Sequence, residues 1–407
     1  MKYVIIGVGA AGIMAAKTIR KADKESSLTM ISLDTQVHSR CMLHKYLSHE
    51  RNEKQLSFIP ENFFEENQII WNKAQSVKQL HVKEKQVELL DGTRVEYDKL
   101  LIATGANSFI PPVGNLREAK NVFGLRHLSD AQAIDQSAKE AENIVIIGSG
   151  LVGLDAAYGL METGKNVSIV EMADRILPVQ LDKTAAKEYQ KRFESAGAKF
   201  YLGRKAAETK MDESGKITTV ILDNGEALKS DLIIVAAGVR SATAGFETEE
   251  IIVDRGMKVD EFMQTGAKDV YAAGDVTGLS GIWPNAQKQG ETAALNMMGG
   301  RVPYTDRFAS KNTINFFGLN SLCVGAIVPN ETDVVIARED ASNYKRVIIR
   351  DGKVVGILLQ GDISHAGIWQ YLIKNQISVA GIKKDIFALD FSDFYGIKEN
   401  GEYVWNF

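Results

Sequence analysis

The sequence predicts an α/β fold in which two parallel-sheet units share one plan, the second inserted into the first, with a small α+β domain at the end. Three observations carry that expectation. Residues 3–12, YVIIGVGAAG, and 144–153, IVIIGSGLVG, are near-copies, each a continuous apolar run that feeds a glycine-rich turn. Each copy then repeats the same landmarks: a second apolar strand, a hairpin signal and a returning strand that ends in glycine. Beyond about Tyr304 the pattern changes to aromatic-rich strands with an Asp351-Gly352 hairpin and a helix around residues 368–374.

In order along the chain, copy one opens with a buried strand, the turn Gly7-x-Gly9-x-x-Gly12 and a helix. The strand LTMISLD (Leu28 to Asp34) completes a strand–helix–strand crossover. A hairpin at Asp91-Gly92 leads into YDKLLIATG, which ends at Gly105. Copy two runs through Gly148-x-Gly150-x-x-Gly153, VSIVEMAD (Val167 to Asp174), a hairpin at Asn224-Gly225 and SDLIIVAAG, which ends at Gly238. Then follow VDEFMQTGAKDVYAAGDV (Val259 to Val276), the Trp283-Pro284 step and the helical run NAQKQGETAALNMMGG. The expected division is 1–107 for the first part of domain one, 108–238 for the inserted domain, 239–303 for the rest of domain one and 304–407 for the C-terminal domain.

Composition sets the bounds. The 407 residues are 45% hydrophobic and 25% charged, the balance of a soluble globular chain, which excludes disordered and fibrous classes. Forty-eight basic and 52 acidic residues, mixed throughout, leave a net charge of −4, so no nucleic-acid partner is expected. Two cysteines, Cys41 and Cys323, support neither a disulfide framework nor a four-cysteine iron–sulfur cluster, and point to a reducing, cytoplasmic setting. Residues 1–16 are greasy enough for a signal peptide, but their placed glycines read as strand, turn and helix. No apolar run approaches the roughly 20 residues of a membrane span.

The glycine spacing has a physical reason. The first glycine allows the tight turn, the second lets backbone amides approach a pyrophosphate, and the third lets helix and strand pack closely, with the diphosphate on the positive end of the helix. Two such turns in matched crossovers make both units Rossmann-like dinucleotide-binding domains. Glu171 follows the third glycine of copy two at close to the roughly 20-residue spacing of a carboxylate that accepts both ribose hydroxyls. No Arg or Lys follows it within the next three positions, which favours NADH over NADPH. Copy one offers Ser32 or Asp34 at a looser spacing, and Asp34 also has a reading as a solvated turn residue.

The paired turns, the ATG of Ala103 to Gly105, EMADRILP (Glu171 to Pro178) and YAAGDV (Tyr271 to Val276) resemble the FAD-dependent pyridine nucleotide-disulfide oxidoreductase family. The resemblance implies a glutathione-reductase-like arrangement, with an NAD domain inserted in an FAD domain. It assigns FAD to Gly7, Gly9, Ala10, Ala11, Gly12, Ser32, Asp34, Arg40, Lys45, Ala103, Thr104, Gly105, Gly274, Asp275, Asn285 and Lys311. The helix beginning near Asn285 would aim its positive end at the flavin pyrimidine. NADH falls to Gly148, Gly150, Leu151, Val152, Gly153, Glu171 and Gly238.

Departures from the family narrow the chemistry. The redox dithiol of glutathione-reductase-like members has no counterpart near Ala10 and Ala11, and His365 lacks the context of the family's histidine–glutamate pair. HSRCMLHKYL (His38 to Leu47) is similar both to single-cysteine NADH oxidases, peroxidases and coenzyme A-disulfide reductases and to NADH:rubredoxin reductases and nitrite reductase flavin modules. The short tail matches the rubredoxin-reductase side. The resemblance therefore implies hydride transfer from NADH to FAD, then electrons to a small redox protein or iron–sulfur subunit.

The alternatives are a Cys41-dependent reductase and a non-catalytic flavin-bearing assembly or sensing subunit. For Cys41 two readings stand open: a thiolate with pKa lowered by Arg40 and Lys45, or a small packing residue. The spacing of His38, Cys41, His44 and His49 suggests a metal site on a stretch that the flavin edge also claims. Arg126 and His127 are candidates to touch nicotinamide, with a surface position as the default. The aromatics Trp369, Tyr371, Phe394, Tyr395 and Trp405 read as core rather than an electron conduit.

Overall fold

A computed structural model describes residues 1–306 and 311–405, and for Tyr403 and Trp405 the backbone alone. Of these, 1–148, 152–167 and 206–306 make one compact unit and 149–151, 168–205 and 311–405 make another.

The first unit is built on a five-stranded parallel sheet in the order Val270–Ala272, Lys99–Ile102, Lys2–Ile6, Ser27–Ile31, Ile69–Asn72. Successive residues of Lys2–Ile6 face opposite sides: Tyr3 and Ile5 join one core cluster, Val4 and Ile6 another. Both sides are covered, so the strand reads as an unbroken apolar run. One face carries the helices Ala10–Ala22 and Trp283–Met297, with Ala15, Ala16, Ala293 and Ala294 buried in that cluster; small side chains let two helix backbones approach. The other face carries the antiparallel strands Val77–His81, Gln86–Leu89 and Arg94–Glu96, which supply Leu80, Val87 and Leu89. The expected Asp91-Gly92 hairpin turn joins the last two, and Gly92 takes φ +85°.

The strand Val270–Ala272 comes after the whole second copy, yet pairs with Lys99–Ile102. Chain order therefore reverses beside Lys2–Ile6, where one crossover leads to Ser27–Ile31 and a later return brings in Lys99–Ile102. Ligands of open α/β sheets bind beyond the carboxyl ends of strands at such a reversal. The same unit holds the parallel strands Asn143–Ile147, Leu232–Val235 and Val122–Phe123, and the antiparallel strands Ala206–Met211, Ile217–Leu222 and Ala227–Lys229 with the Asn224-Gly225 turn. A two-stranded ribbon, Ala106–Ser108 against Val239–Ser241, lies where the chain leaves the first sheet and comes back.

In the second unit residues 168–171, the later part of the strand Asn166–Glu171, pair in parallel with Lys199–Leu202, with the helix Lys183–Ser195 between them in sequence. The C-terminal antiparallel sheet runs in the order Lys311–Phe316, Leu319–Gly325, Lys353–Gln360, Tyr344–Arg350, Val334–Glu339. The helix Ala366–Asn375 covers it with Ile368, Trp369, Leu372 and Ile373 at helical spacing. Tyr189 is fully buried and its hydroxyl lies 2.8 Å from Leu319 O and 3.1 Å from Ile314 O, which fastens the helix to the turn between two strands. Among the described residues no helix is long and apolar enough to cross a membrane.

A Cβ placed on Gly12 would lie 2.0 Å from Gly7 O, whereas one on Gly9, at φ −78°, meets nothing within 4 Å. Gly12→Ala is expected to lower unfolding free energy by about 3 kcal/mol or more, a severe overpacking cost. Gly9→Ala should unfold at a urea midpoint close to the wild type, as followed by circular dichroism.

Candidate functional site

The first glycine turn stands at the sheet reversal. Gly7 has φ +112°, and a Cβ there would sit 2.2 Å from Ala103 O at the end of the neighbouring strand. The helix that follows begins at Ala10 with neither a side-chain cap nor an acidic residue in its first turn, while Arg20 and Lys21 complement its far end. Its first N–H groups are thus presented to an anion. Over the turn lies a cavity of about 390 Å³ lined by Gly7, Gly9, Ser32, Asp34 and His127 among others. A second, of about 70 Å³, is lined by Ala11, Cys41, Gly105, Arg126, Asp275 and Trp283. Both include Gly9, Arg40, Ala103 and Thr104, so they form one cleft.

Four charges line this cleft in two pairs. Arg40 donates to Asp34 at 3.1 Å, and Arg126 pairs with Asp275; the four side chains are between 14% and 18% exposed. Arg40 Nη1 also donates to Arg126 O at 3.0 Å. His127 Nδ1 lies 2.9 Å from Arg40 Nη1 and 3.8 Å from Asp34 Oδ1, and its Nε2 faces Asn107 Oδ1 at 3.4 Å. Burial works to raise the Asp34 carboxyl, but His127, Arg40 and His38 outweigh it and hold it below the usual carboxylate range. Arg126 and His127 are therefore drawn into the first-turn cleft instead of standing on the surface.

Of the two readings of Cys41, the surroundings oppose the lowered thiolate. The residue is solvent-exposed, yet protein crowds the sulfur: this burial, with the Asp155 carboxylate, pushes the thiol above its ordinary value, and Arg126 and Arg40 only partly offset it. Lys45 turns to Glu50, at 2.8 and 2.7 Å. The neighbouring His44 faces Asp155 on the helix Leu151–Met161, Nδ1 to Oδ1 3.7 Å. Burial depresses His44 to about 4 and raises Asp155 to about 7. The helices Leu43–Leu47 and Leu151–Met161 meet at Gly159, where a Cβ would lie 2.7 Å from His44 O.

The second glycine turn repeats the first. Gly148 has φ +105° with its Cβ direction 2.5 Å from Ala236 O, Gly153 abuts Gly148 O at 2.0 Å, and Gly150 is open. Glu171 accepts from Ser149 N–H at 2.8 Å and Ser149 Oγ at 2.9 Å on one oxygen, and from Ala173 N–H at 2.8 Å on the other. Arg175, the first cation after Glu171, is fastened to Leu181 O, Pro178 O and Asp174, and so is not free to greet a 2′-phosphate.

The remaining assignments scatter. Gly274 and Asp275 line the smaller cavity, and Gly238, at φ +107°, ends the return strand. The helix expected near Asn285 begins two positions earlier, at Trp283, with Pro284 in its first turn. Asn285 itself is buried and donates to Tyr304 Oη and Asp306 O. Lys311 is exposed at the start of its strand in the second unit.

Among the tail aromatics Trp369 and Phe394 are core, Tyr371 is half-buried, Tyr395 is 44% exposed, and the Trp405 side chain falls outside the described residues. His38 donates to Gln36 O and His49 contacts Asp135; among the described residues no three His, Cys, Asp or Glu gather as a metal site. Asp155 and Trp283 carried no signal of their own beyond their position, the first two residues past Gly153 and the second at a helix start.

Comparison with known proteins places these features. The family model for pyridine nucleotide-disulphide oxidoreductases matches residues 1–290, and that for the rubredoxin NAD+ reductase C-terminal domain matches 311–377. The chain is 30% identical to the NADH-dependent phenylglyoxylate dehydrogenase subunit epsilon of Aromatoleum evansii, over 95% of this chain and 94% of that one. It is 27% identical to the nitrite reductase [NAD(P)H] of Bacillus subtilis over 94% of this chain, spanning about half, 48%, of that protein. The crystal structure of NADH:rubredoxin oxidoreductase from Clostridium acetobutylicum superposes with a TM-score of 0.77 at 25% identity, over 94% of this chain and 97% of that one.

Two titrations check the electrostatics. Iodoacetamide should alkylate Cys41 slowly at pH 7 and ever faster through pH 9, with Cys323, buried and pushed up to about 11, silent in the native protein; a rate that levels off below pH 8 contradicts the raised thiol. Folded Asp155 keeps its proton to about pH 7, whereas unfolded carboxyls lose it near pH 4. The folded chain binds more protons across that window, so this contribution to stability falls as pH rises through it. Asp155→Asn, a standing neutral form, should unfold with about 2 kcal/mol more free energy than wild type at pH 8 and with a smaller difference at pH 5.

Proposed function

Because this chain belongs to the pyridine nucleotide-disulphide oxidoreductase family, we propose that it is an FAD-dependent NADH oxidoreductase that delivers electrons to a small redox protein or an iron–sulfur subunit. The family's members are flavin-containing NAD(P)H oxidoreductases that bind FAD and NADH. The observation that carries the reading is the doubled turn: two open central glycines, Gly9 and Gly150, each flanked by a glycine pair that leaves no room for a Cβ. Two such turns suit a protein that brings two dinucleotides together for hydride transfer.

FAD, when bound, supplies the chemistry of accepting a hydride equivalent from NADH and releasing its two electrons singly. The protein's residues bind and orient. The Gly7–Gly12 turn and the helix Ala10–Ala22 hold the diphosphate, and Asp34, kept ionised by Arg40 and His127, accepts from the ribose. Arg126 and Asp275 set the charge of the inner end of the cleft, with Trp283 as its wall. In copy two, Gly148, Gly150 and Gly153 hold the NADH diphosphate, and Glu171 accepts from its adenosine ribose. Three donors fix the Glu171 carboxylate and Arg175 is tied back, so a 2′-phosphate meets a fixed negative charge, which favours NADH.

This reading takes residues 1–107 and 239–303 as the FAD domain, 108–238 as the NAD domain and 304–407 as the C-terminal domain. The relatives' names, a dehydrogenase subunit and a rubredoxin oxidoreductase, support a protein acceptor. Two free cysteines without a disulfide support the cytoplasm.

A second reading, a Cys41-dependent oxidase or disulfide reductase, has one observation in its favour, the place of Cys41 in the cleft. Its raised pKa speaks for the first reading. The holoenzyme should oxidise NADH over many turnovers with ferricyanide. Cys41→Ser should stay within about twofold, and Glu171→Ala should raise the KM for NADH about tenfold or more, the loss of a charged hydrogen-bond acceptor. Loss of turnover in Cys41→Ser would favour the second reading, and a wild type without multiple turnover would make the chain a binding subunit.

A further inference from the structure

Ile69–Asn72 is the outer strand of the first sheet, and one of its residues reaches the cleft through a chain of hydrogen bonds. Trp71 Nε1–H donates to Ser32 Oγ at 2.9 Å, and Ser32 Oγ–H donates to the Asp34 main-chain oxygen at 2.7 Å. An indole N–H only donates and a serine hydroxyl has one proton, so the direction of both bonds is settled. Ser32 is 4% exposed, and consecutive bonds in such a place strengthen one another. The main chain is tied at the same point: Ser32 N–H donates to Asn72 O at 3.1 Å, and Gln75 N–H donates to Ser32 O at 2.9 Å.

The indole is itself held. Phe64 stacks on it with centroids 4.2 Å apart and planes 18° from parallel, and the Lys73 ammonium lies 4.6 Å from the ring centre. At the other end of the chain of bonds, the Asp34 carboxylate meets Arg40 at 3.1 Å and lines the cavity of about 390 Å³.

We propose that Trp71 is a positioning residue for the adenosine end of the cofactor, holding Ser32 and through it the Asp34 main chain, so that the Asp34 carboxylate is presented into the cavity. The proposal rests on the FAD reading above and divides the labour between its two carboxyl-end candidates: Ser32 is a strut and Asp34 faces the ligand.

The test uses apoprotein, with FAD and FMN as probes, titrated by quenching of flavin fluorescence. FMN lacks the adenosine end, so a strut for that end acts on one probe only. Trp71→Phe, which keeps the ring stack and removes the donor, should weaken FAD roughly five- to tenfold, the loss of one buried hydrogen bond, and leave FMN unchanged. Ser32→Ala should do the same, Ser32→Thr should restore binding, and the double variant Trp71→Phe/Ser32→Ala should be no weaker than Ser32→Ala alone. Should Trp71→Phe fail to fold, the Ser32→Ala and Ser32→Thr pair decides. FAD affinity unchanged in the variants, equal losses for FAD and FMN, or additive losses in the double variant overturn the proposal. A wild type that takes up no FAD overturns the cofactor reading itself.

Discussion

Everything at the cleft depends on one close approach, that of the Gly7 Cα to the carbonyl of Ala103. Two neighbouring parallel strands end there, and the chain must turn from one of them into a helix within three residues. With 2.2 Å between that oxygen and any Cβ, only glycine fits, and only at φ +112°, where a side chain would be strained as well as crowded. The same helix start then has to clear the Gly7 carbonyl, which makes Gly12 a second position without a side chain. Because the turn is this tight, the helix N-terminus arrives at the sheet reversal with its N–H groups aimed across the strand ends. Copy two solves the same problem with Gly148, Gly153 and the carbonyl of Ala236. That repetition is the physical content of the sequence similarity between the copies.

The cleft's charges depend in turn on that geometry. Asp34 follows the second strand, Arg40 the loop after it, Arg126 the segment before the helix Leu128–Ala138, and Asp275 the returning strand. The fold brings them into two pairs of opposite sign, so the cleft carries charge without carrying an excess of it. Each pair also fastens one segment to another: Arg40 reaches the Arg126 carbonyl, and Ser241 Oγ, on the two-stranded ribbon, donates to the Asp275 carbonyl at 2.7 Å. The segment before the helix Leu128–Ala138 and the two-stranded ribbon are thus both tied to residues that line the cleft.

What was legible in the sequence was what is local. The glycine turns, the hairpins at Asp91-Gly92, Asn224-Gly225 and Asp351-Gly352, and the amphipathic helix around 368–374 follow from backbone chemistry within a few residues of each other. The two-sided burial of Lys2–Ile6 was legible too, because it removes the polar alternation. The pairing of Arg126 with Asp275 and the place of Trp71 were not. A lone Arg defaults to the surface, and its pairing with Asp275 joins residues far apart in the chain. Trp71 looks like any strand aromatic until Ser32 is seen beside its indole nitrogen. The choice between the two readings of Cys41 was not legible for the same reason: Arg40 and Lys45 are its sequence neighbours, but Lys45 turns to Glu50 and Asp155 comes in from a helix far along the chain.

That last contact bears on where protons rest near the cleft. The seam between the helices Leu43–Leu47 and Leu151–Met161 is closed tightly at Gly159, and His44 and Asp155 face each other there at 3.7 Å, largely screened from water and without a full hydrogen bond. Burial penalises the charged form of each, which pushes the histidine down and the carboxyl up. Near neutral pH the histidine is uncharged and the carboxyl stands close to half-protonated. A carboxylate there also holds a proton on Cys41, since its negative charge opposes a thiolate. In this arrangement the lone cysteine is a poor nucleophile for electrical reasons, whatever its distance from a cofactor. With no dithiol and a thiol held protonated, the chain's own residues offer electrons no covalent resting place, which fits an acceptor outside the chain.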